Sequence, residues 1–147
     1  IRTASALHDI GKIGIDEAIL NKPGRLTAEE FESMKAHTTI GADMLRNLPR
    51  YQEERILQIA IEICRWHHER YDGKGYPDGL VGDEIPISAQ LVSIADVYDA
   101  LTSERVYKKA FSHEKAMQMI REGECGAFNP LLLSCLEEIA DELQAEM

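Results

Sequence analysis

Apolar residues recur at helical spacing along most of this chain, and no stretch shows sustained two-residue alternation. The segment from Ile1 to Leu7 is apolar and helix-like, and Gly11 and Gly14 close it. Thr27-Ala28-Glu29-Glu30 has the form of a capping box, with Thr27 at the cap and Glu30 three residues on, and it opens a helix running toward His37. From Gln52 to His68, the residues Ile56, Leu57, Ala60, Ile61, Ile63 and Cys64 draw a helical stripe that ends in two adjacent histidines. Between Tyr71 and Pro86 the periodicity stops. Gly73, Gly75, Gly79 and Gly82, with Pro77 and Pro86, predict a long ordered loop, a kind of segment that usually carries function in a compact domain. Helical spacing resumes at Ser88 and holds to Thr102. Ser112 caps a further helix that stops at Gly123, and Asn129-Pro130, a capping residue followed by proline in the first turn, opens the last. The predicted class is all-α.

Composition narrows this picture. With 147 residues the chain suits one domain that buries its own core without disulfides. No apolar run approaches the ~20 residues needed to span a bilayer, and no secretory signal is expected at the N-terminus. The net charge of −10 argues against a nucleic-acid polymer or an anionic membrane as partner, since both call for clustered lysine and arginine. Much of the acid lies on the last helix, at Glu137, Glu138, Asp141, Glu142 and Glu146. Cys64, Cys125 and Cys135 are widely spaced with no paired motif, which suits a reducing cytoplasm.

Several polar residues then stand out against the apolar stripes. His8 and Asp9 are adjacent on a short helix, where side chains about 100° apart could embrace one metal or serve two, and Lys12 follows on the same side. Alone, such a pair is a weak signal and reads more readily as a neutral core histidine beside a helix-capping aspartate. His67 and His68 end a helix and lead into the glycine-rich loop; neighbouring imidazoles are costly to bury unpaired and simple to explain as ligands. Asp96 and Asp99 lie three residues apart in an otherwise apolar helix, where carboxylates need a partner or a metal. A salt bridge to Arg105 would satisfy Asp99 but not both. His37 is ambiguous by itself, Cys64 reads as core rather than ligand, and His113, beside a cap, reads as a solvated surface residue. His8, Asp9, His37, His67, His68 and Asp96 together outnumber the ligands of one closed zinc site. Their nitrogen and carboxylate donors suit Fe, Mn, Zn, Co or Ni, and a shared carboxylate suits two or more ions. Such a centre polarises a phosphoryl oxygen and activates water.

Three segments carry a resemblance to a known family. His8-Asp9-Ile10-Gly11-Lys12-Ile13-Gly14, the run from His67-His68-Glu69 through Asp72-Gly73-Lys74-Gly75-Tyr76-Pro77, and Ile94 to Lys108 resemble the signatures of HD-GYP domains, a branch of the HD phosphohydrolase superfamily. The resemblance covers essentially the whole chain. It implies an all-α HD-domain bundle with an ordered glycine-rich GYP loop. It also implies hydrolysis of cyclic di-GMP to pGpG, with onward cleavage to GMP left open, at two or three divalent ions, Fe or Mn. In that pattern His8, Asp9, His37, His67, His68 and Asp96 are metal ligands, Lys12 contacts the scissile phosphate, and Tyr76, Asp99, Arg105 and Lys108 line the substrate pocket. Lys74, Arg105, Lys108 and Lys109 supply a basic patch in an acidic chain, and arginine forks readily onto phosphate.

The family pattern also begins with a helix upstream of the His-Asp pair that brings a further histidine ligand. This sequence lacks it, so the expectation is an HD-GYP domain over residues 1–147 without its first helix, with one metal position weakened and apolar surface open to a homodimer contact. GGDEF-type proteins are expected partners of the GYP loop, and a sensor or receiver domain is expected upstream. Two other readings stand beside the hydrolase: a module that binds cyclic di-GMP or a GGDEF-type partner without turnover, and a relative that acts on cyclic GMP-AMP.

Overall fold

The computed structural model describes residues 1–104 and 109–145; Arg105 and Lys108, two of the expected pocket residues, lie outside them. Among the described residues the structure is helical, with an isolated antiparallel bridge between Asp72 and Val81 as its only strand-like pairing. In chain order the helices are α1 (Arg2–Ser5), α2 (Glu17–Leu20), α3 (Ala28–Lys35), α4 (His37–Arg46), α5 (Arg55–Trp66), α6 (Ile87–Thr102), α7 (His113–Arg121), α8 (Pro130–Glu138) and α9 (Ala140–Ala145). A 3₁₀ turn over Ile10–Gly14 follows α1.

Side-chain caps set several of the starts. Thr27 accepts from Glu30 N–H at 3.2 Å while the Glu30 carboxylate accepts from Thr27 N–H at 2.7 Å, so two of the orphan donors at the start of α3 are satisfied reciprocally. Asp16, Ser112 and Asn129 cap α2, α7 and α8 with single bonds, each side chain accepting from one backbone N–H of the first turn. The helix predicted to run toward His37 ends at Lys35, and α4 begins at His37 after the single turn residue Ala36. The final predicted helix likewise divides at Ile139.

Two apolar clusters hold the bundle. One joins α1, α4 and α5 through Ala4, Ala42, Leu45, Leu57, Ala60, Ile61 and Ile63, with Val92 reaching in from α6. The other joins α6, α7 and α8 through Ile94, Leu101, Ala116, Met117, Ile120 and Leu132. Helix α6 contributes to both, which is why so few of its positions are polar and why a carboxylate on it is conspicuous. Cys64 is fully buried in the first cluster, and its thiol donates to the Leu7 carbonyl at 3.1 Å. His113 corrects an expectation. It is buried rather than solvated, because α7 packs on α6 and brings its Nδ1 to 2.8 Å from the Tyr98 hydroxyl.

Close backbone contact positions the His-Asp segment. A methyl group on Gly11 would lie 1.9 Å from the His37 carbonyl oxygen and 2.5 Å from Gly41 N, so only glycine lets the 3₁₀ turn lie flat on α4. That contact brings the first turn of α4 beside Asp9.

Candidate metal centre

His8 and Asp9 do not sit on a helix as predicted. Helix α1 ends at Ser5, and both residues occupy the turn that joins it to the 3₁₀ segment, with His8 N–H bonded to Ser5 O at 3.1 Å. The turn serves the site better than a helix would, because it aims both side chains inward at the ends of α4 and α5.

The Asp9 carboxylate is the hub. Its Oδ1 lies 3.4 Å from His37 Nε2 and 3.8 Å from His67 Nε2, while its Oδ2 lies 3.3 Å from His8 Nε2 and 2.6 Å from Lys12 Nζ. Asp96, from α6, brings Oδ1 to 3.7 Å from His8 Nε2. Asp9, His37, His67 and His68 each offer a donor atom within 4.8 Å of the others. Two half-sites therefore share one carboxylate: Asp9 with His37, His67 and His68, and Asp9 with His8 and Asp96.

The imidazoles are locked in one orientation by the backbone. His8 Nδ1 bonds Ser5 O at 2.7 Å, His37 Nδ1 bonds Met34 O at 2.7 Å, and His67 Nδ1 bonds Ile63 O at 2.8 Å. A carbonyl can only accept, so each Nδ1 carries a proton; the Nε2 atoms of His37 and His67 then turn a lone pair toward Asp9, while that of His8 faces the carboxylates of both Asp9 and Asp96. Yet His37 Nε2 and His67 Nε2 are buried and have no hydrogen-bond partner. Leaving such an atom unpaired costs about 1–3 kcal/mol. A pair of them, converging on one carboxylate oxygen, fits a divalent cation.

Charge preferences agree. Burial lowers the His37 imidazole and holds those of His67 and His68 well below their ordinary value, which favours the neutral form that metal ligation requires. Hydrogen bonds that the His8 ring donates to the Asp9 and Asp96 carboxylates instead push His8 up. Burial would raise the Asp9 carboxyl, but His8 and Lys12 outweigh it and keep Asp9 ionised. His8 likewise holds Asp96 below the usual carboxylate range against the opposing effect of burial. The pocket thus demands positive charge between two carboxylates.

The glycine-rich loop is tied down at several points. Glu69, 2% exposed, accepts from the N–H groups of Asp78 (2.7 Å), Gly79 (3.1 Å) and Leu80 (3.0 Å). Arg65 grips the Asp78 carboxylate with two bonds of 2.8 and 2.9 Å, and the Trp66 indole adds one of 2.7 Å. Gly75 passes so close that a methyl there would lie 2.3 Å from Arg70 N. The loop so held lays the Tyr76 ring on His68, with centroids 4.9 Å apart and planes at 20°.

These features, a His-Asp hub with histidines from two further helices and a carboxylate from a third, have a counterpart among known proteins: residues 1–130 match the HD domain family. The chain belongs to that family. Its HD domain also carries the full His67–Pro77 signature of the HD-GYP branch. A cyclic di-GMP phosphodiesterase of Vibrio cholerae is 47% identical over 143 residues, covering 97% of this chain and 29% of that protein. One of Thermotoga maritima is 46% identical over 143 residues, 97% of this chain and 38% of its own length. A 3'3'-cGAMP-specific phosphodiesterase of Vibrio cholerae is 42% identical over 145 residues, 99% of this chain and 27% of that protein. The HD domain described here thus spans roughly a third of these relatives.

Beside the hub lies a cavity of about 660 Å³ whose walls include His8, Asp96, Asp99 and Arg2. Asp99 therefore reaches the site from the His8 side, and its carboxylate also accepts from the Ser103 hydroxyl at 3.1 Å. Tyr76 reaches it from the opposite side, over His68. Lys74 and Lys109, of the expected basic patch, are exposed, and Lys74 pairs loosely with Asp72 at 4.0 Å. Glu69, Arg65 and Asp78 were missed as site-supporting residues. Glu69 carries no periodic signal, and its partners are backbone groups nine to eleven positions away.

Proposed function

We propose that this HD-GYP domain is a metal-dependent phosphodiesterase that opens cyclic di-GMP to pGpG. The observation that carries the reading is the pair of buried, partnerless Nε2 atoms of His37 and His67 converging on Asp9, with His8 and Asp96 on its other oxygen. Support for the substrate comes from relatives named as cyclic di-GMP phosphodiesterases at 46–47% identity. We assign His37, His67, His68 and Asp9 to one ion and His8, Asp9 and Asp96 to a second, with Fe or Mn suited to the nitrogen and oxygen donors.

Bound divalent ions supply Lewis-acid polarisation of the phosphodiester and an activated water. The chain's own residues do the rest. The carbonyl-bound Nδ1 atoms keep three imidazoles from rotating, so the donor set is preorganised and no reorganisation is needed on binding. Lys12, 2.6 Å from Asp9 and 40% exposed, stands where a phosphoryl oxygen would arrive and can exchange part of its bond to Asp9 for that oxygen. Arg2, on the wall of the cavity beside His8, offers a cation to an anionic ligand at the centre.

A second reading, cleavage of 3'3'-cyclic GMP-AMP, draws support from a relative so named at 42% identity. Both are tested together. The protein is loaded anaerobically with Fe(II) or Mn(II), its metal content measured, and its products from each dinucleotide resolved by chromatography. We expect pGpG from cyclic di-GMP, with kcat/KM above that for cyclic GMP-AMP. Metal-loaded protein that leaves both nucleotides intact refutes the phosphodiesterase, and the reverse order of kcat/KM refutes the choice of substrate. A cytoplasmic location accompanies this reading, since Cys64, Cys125 and Cys135 are widely spaced with no paired motif, as suits a reducing compartment.

A further inference from the structure

Helix α3 is an unusual neighbour for the metal centre. It buries none of its residues, and Glu29, Glu30, Glu32 and Lys35 make it mostly polar, yet it carries Phe31 with 44% of its surface exposed. That ring is not turned to open solvent at random. It stands edge-on to Tyr76 with centroids 6.1 Å apart, and Tyr76 is stacked on His68. The Lys35 ammonium lies over both rings, 5.1 Å from the Phe31 centroid and 5.3 Å from that of Tyr76. Its ion pair with Glu32, at 2.7 Å, joins it to a carboxylate that is itself 70% exposed, and so is weak and readily exchanged for another anion.

The aromatic groups form a continuous path across the centre. His8 and His67 lie 5.1 Å apart, His67 and His68 4.1 Å, His68 and Tyr76 4.9 Å, and Tyr76 and Phe31 6.1 Å. At the His8 end is the cavity; at the far end is the exposed ring with a cation beside it. A substrate with two purines and two phosphodiesters, bound by one phosphodiester at the metals, has a second half to place. An exposed aromatic face next to an ammonium group suits a nucleobase and its phosphate: bases stack on aromatic rings whatever their edge pattern, and lysine meets phosphate as a point charge.

Resting on the phosphodiesterase reading, we propose that Phe31 and Lys35 of α3 form a substrate subsite beside Tyr76. Phe31 stacks on one purine of the cyclic dinucleotide, and Lys35 faces the phosphodiester that is not cleaved. The subsite acts in binding and leaves the bond-breaking step to the metal centre.

The test compares cyclic di-GMP with bis(p-nitrophenyl) phosphate, a small diester that needs the metals but has no purine and no second phosphate. Three variants are used. Phe31→Leu keeps an apolar side chain but loses the flat face, Phe31→Trp restores a flat face, and Lys35→Met keeps the stem without the charge. The quantity read is the ratio of kcat/KM for the dinucleotide to kcat/KM for the small diester. We expect that ratio to fall about tenfold in Phe31→Leu and in Lys35→Met, through KM, and to recover in Phe31→Trp. An unchanged ratio in both deletions, or an equal loss on both substrates, overturns the subsite. Wild-type protein that cleaves the small diester but not the nucleotide instead overturns the proposed function. Equilibrium dialysis of cyclic di-GMP against the same proteins needs no turnover: a Kd about tenfold weaker in Phe31→Leu and Lys35→Met supports the subsite, and an unchanged Kd overturns it.

Discussion

The Glu69 carboxylate is the most concentrated single support of the loop, and removing it has a size that can be worked out. Three backbone N–H groups, from Asp78, Gly79 and Leu80, donate to it at 2.7, 3.1 and 3.0 Å, and it is 2% exposed. A hydrogen bond to a charged acceptor contributes about 1.5–3 kcal/mol, so simple addition gives about 4.5–9 kcal/mol. Addition overstates the loss, because the three bonds form one network. Asp78 and Gly79 are also exposed, so water can replace part of what those two N–H groups lose. We therefore expect Glu69→Ala to cost about 3–4 kcal/mol, or roughly 10 °C in Tm at the 2–4 °C per kcal/mol usual for a domain of this size. Glu69→Gln keeps the shape and one acceptor oxygen but turns an NH2 group toward a backbone donor, and should cost about half as much. Urea and thermal unfolding followed by circular dichroism would measure both. The same substitution frees Tyr76 from its place on His68, so hydrolysis of cyclic di-GMP should fall further than metal content does. Stability of Glu69→Ala within about 1 kcal/mol of the wild type would refute the reasoning, since it would mean the loop holds its shape without its charged acceptor.

Other outcomes follow from the same geometry. Gly11→Ala should cost about 3 kcal/mol and lower metal content, because its methyl would meet the His37 carbonyl at 1.9 Å and push the His-Asp turn off α4; urea unfolding and elemental analysis of one preparation check both. Asp96→Ala should lower the bound-metal stoichiometry while the Asp9–His37–His67–His68 half still loads; elemental analysis that finds full occupancy removes Asp96 from the ligand set. The hydrogen bonds from Arg65 and Trp66 hold Asp78 below the ordinary carboxylate value, although its side chain is 34% exposed and solvent weakens the effect. Its folded pKa is lower than its unfolded one, so its contribution is complete above about pH 4 and disappears as the pH drops further. Unfolding measured from pH 5 downward should therefore show a shallower decline in Asp78→Asn than in the wild type, and identical slopes would count against the clamp.

The residues that gather at the candidate centre were legible in the sequence because they break a pattern. Asp96 interrupts an apolar helix, His67 and His68 end one, and the glycines after Tyr71 stop the helical period. Each is a local departure that burial makes costly without a partner. The all-α class was legible for the same reason, since helical spacing is a property of neighbouring positions. What a local pattern cannot carry is distance. That Asp9 divides its two oxygens between His37 and His67 on one side and His8 on the other depends on the turn after α1 lying against α4, which the absence of a side chain at Gly11 allows. The placement of Tyr76 over His68 depends on a glutamate whose acceptors are matched to backbone donors nine to eleven residues later, and backbone donors leave no mark in residue type. His113 is the converse case: its own neighbours gave it a surface reading, and the packing of α7 on α6 buried it against Tyr98. The histidine and aspartate types were thus written in the sequence, while their grouping around the two oxygens of Asp9 was decided only when the helices packed.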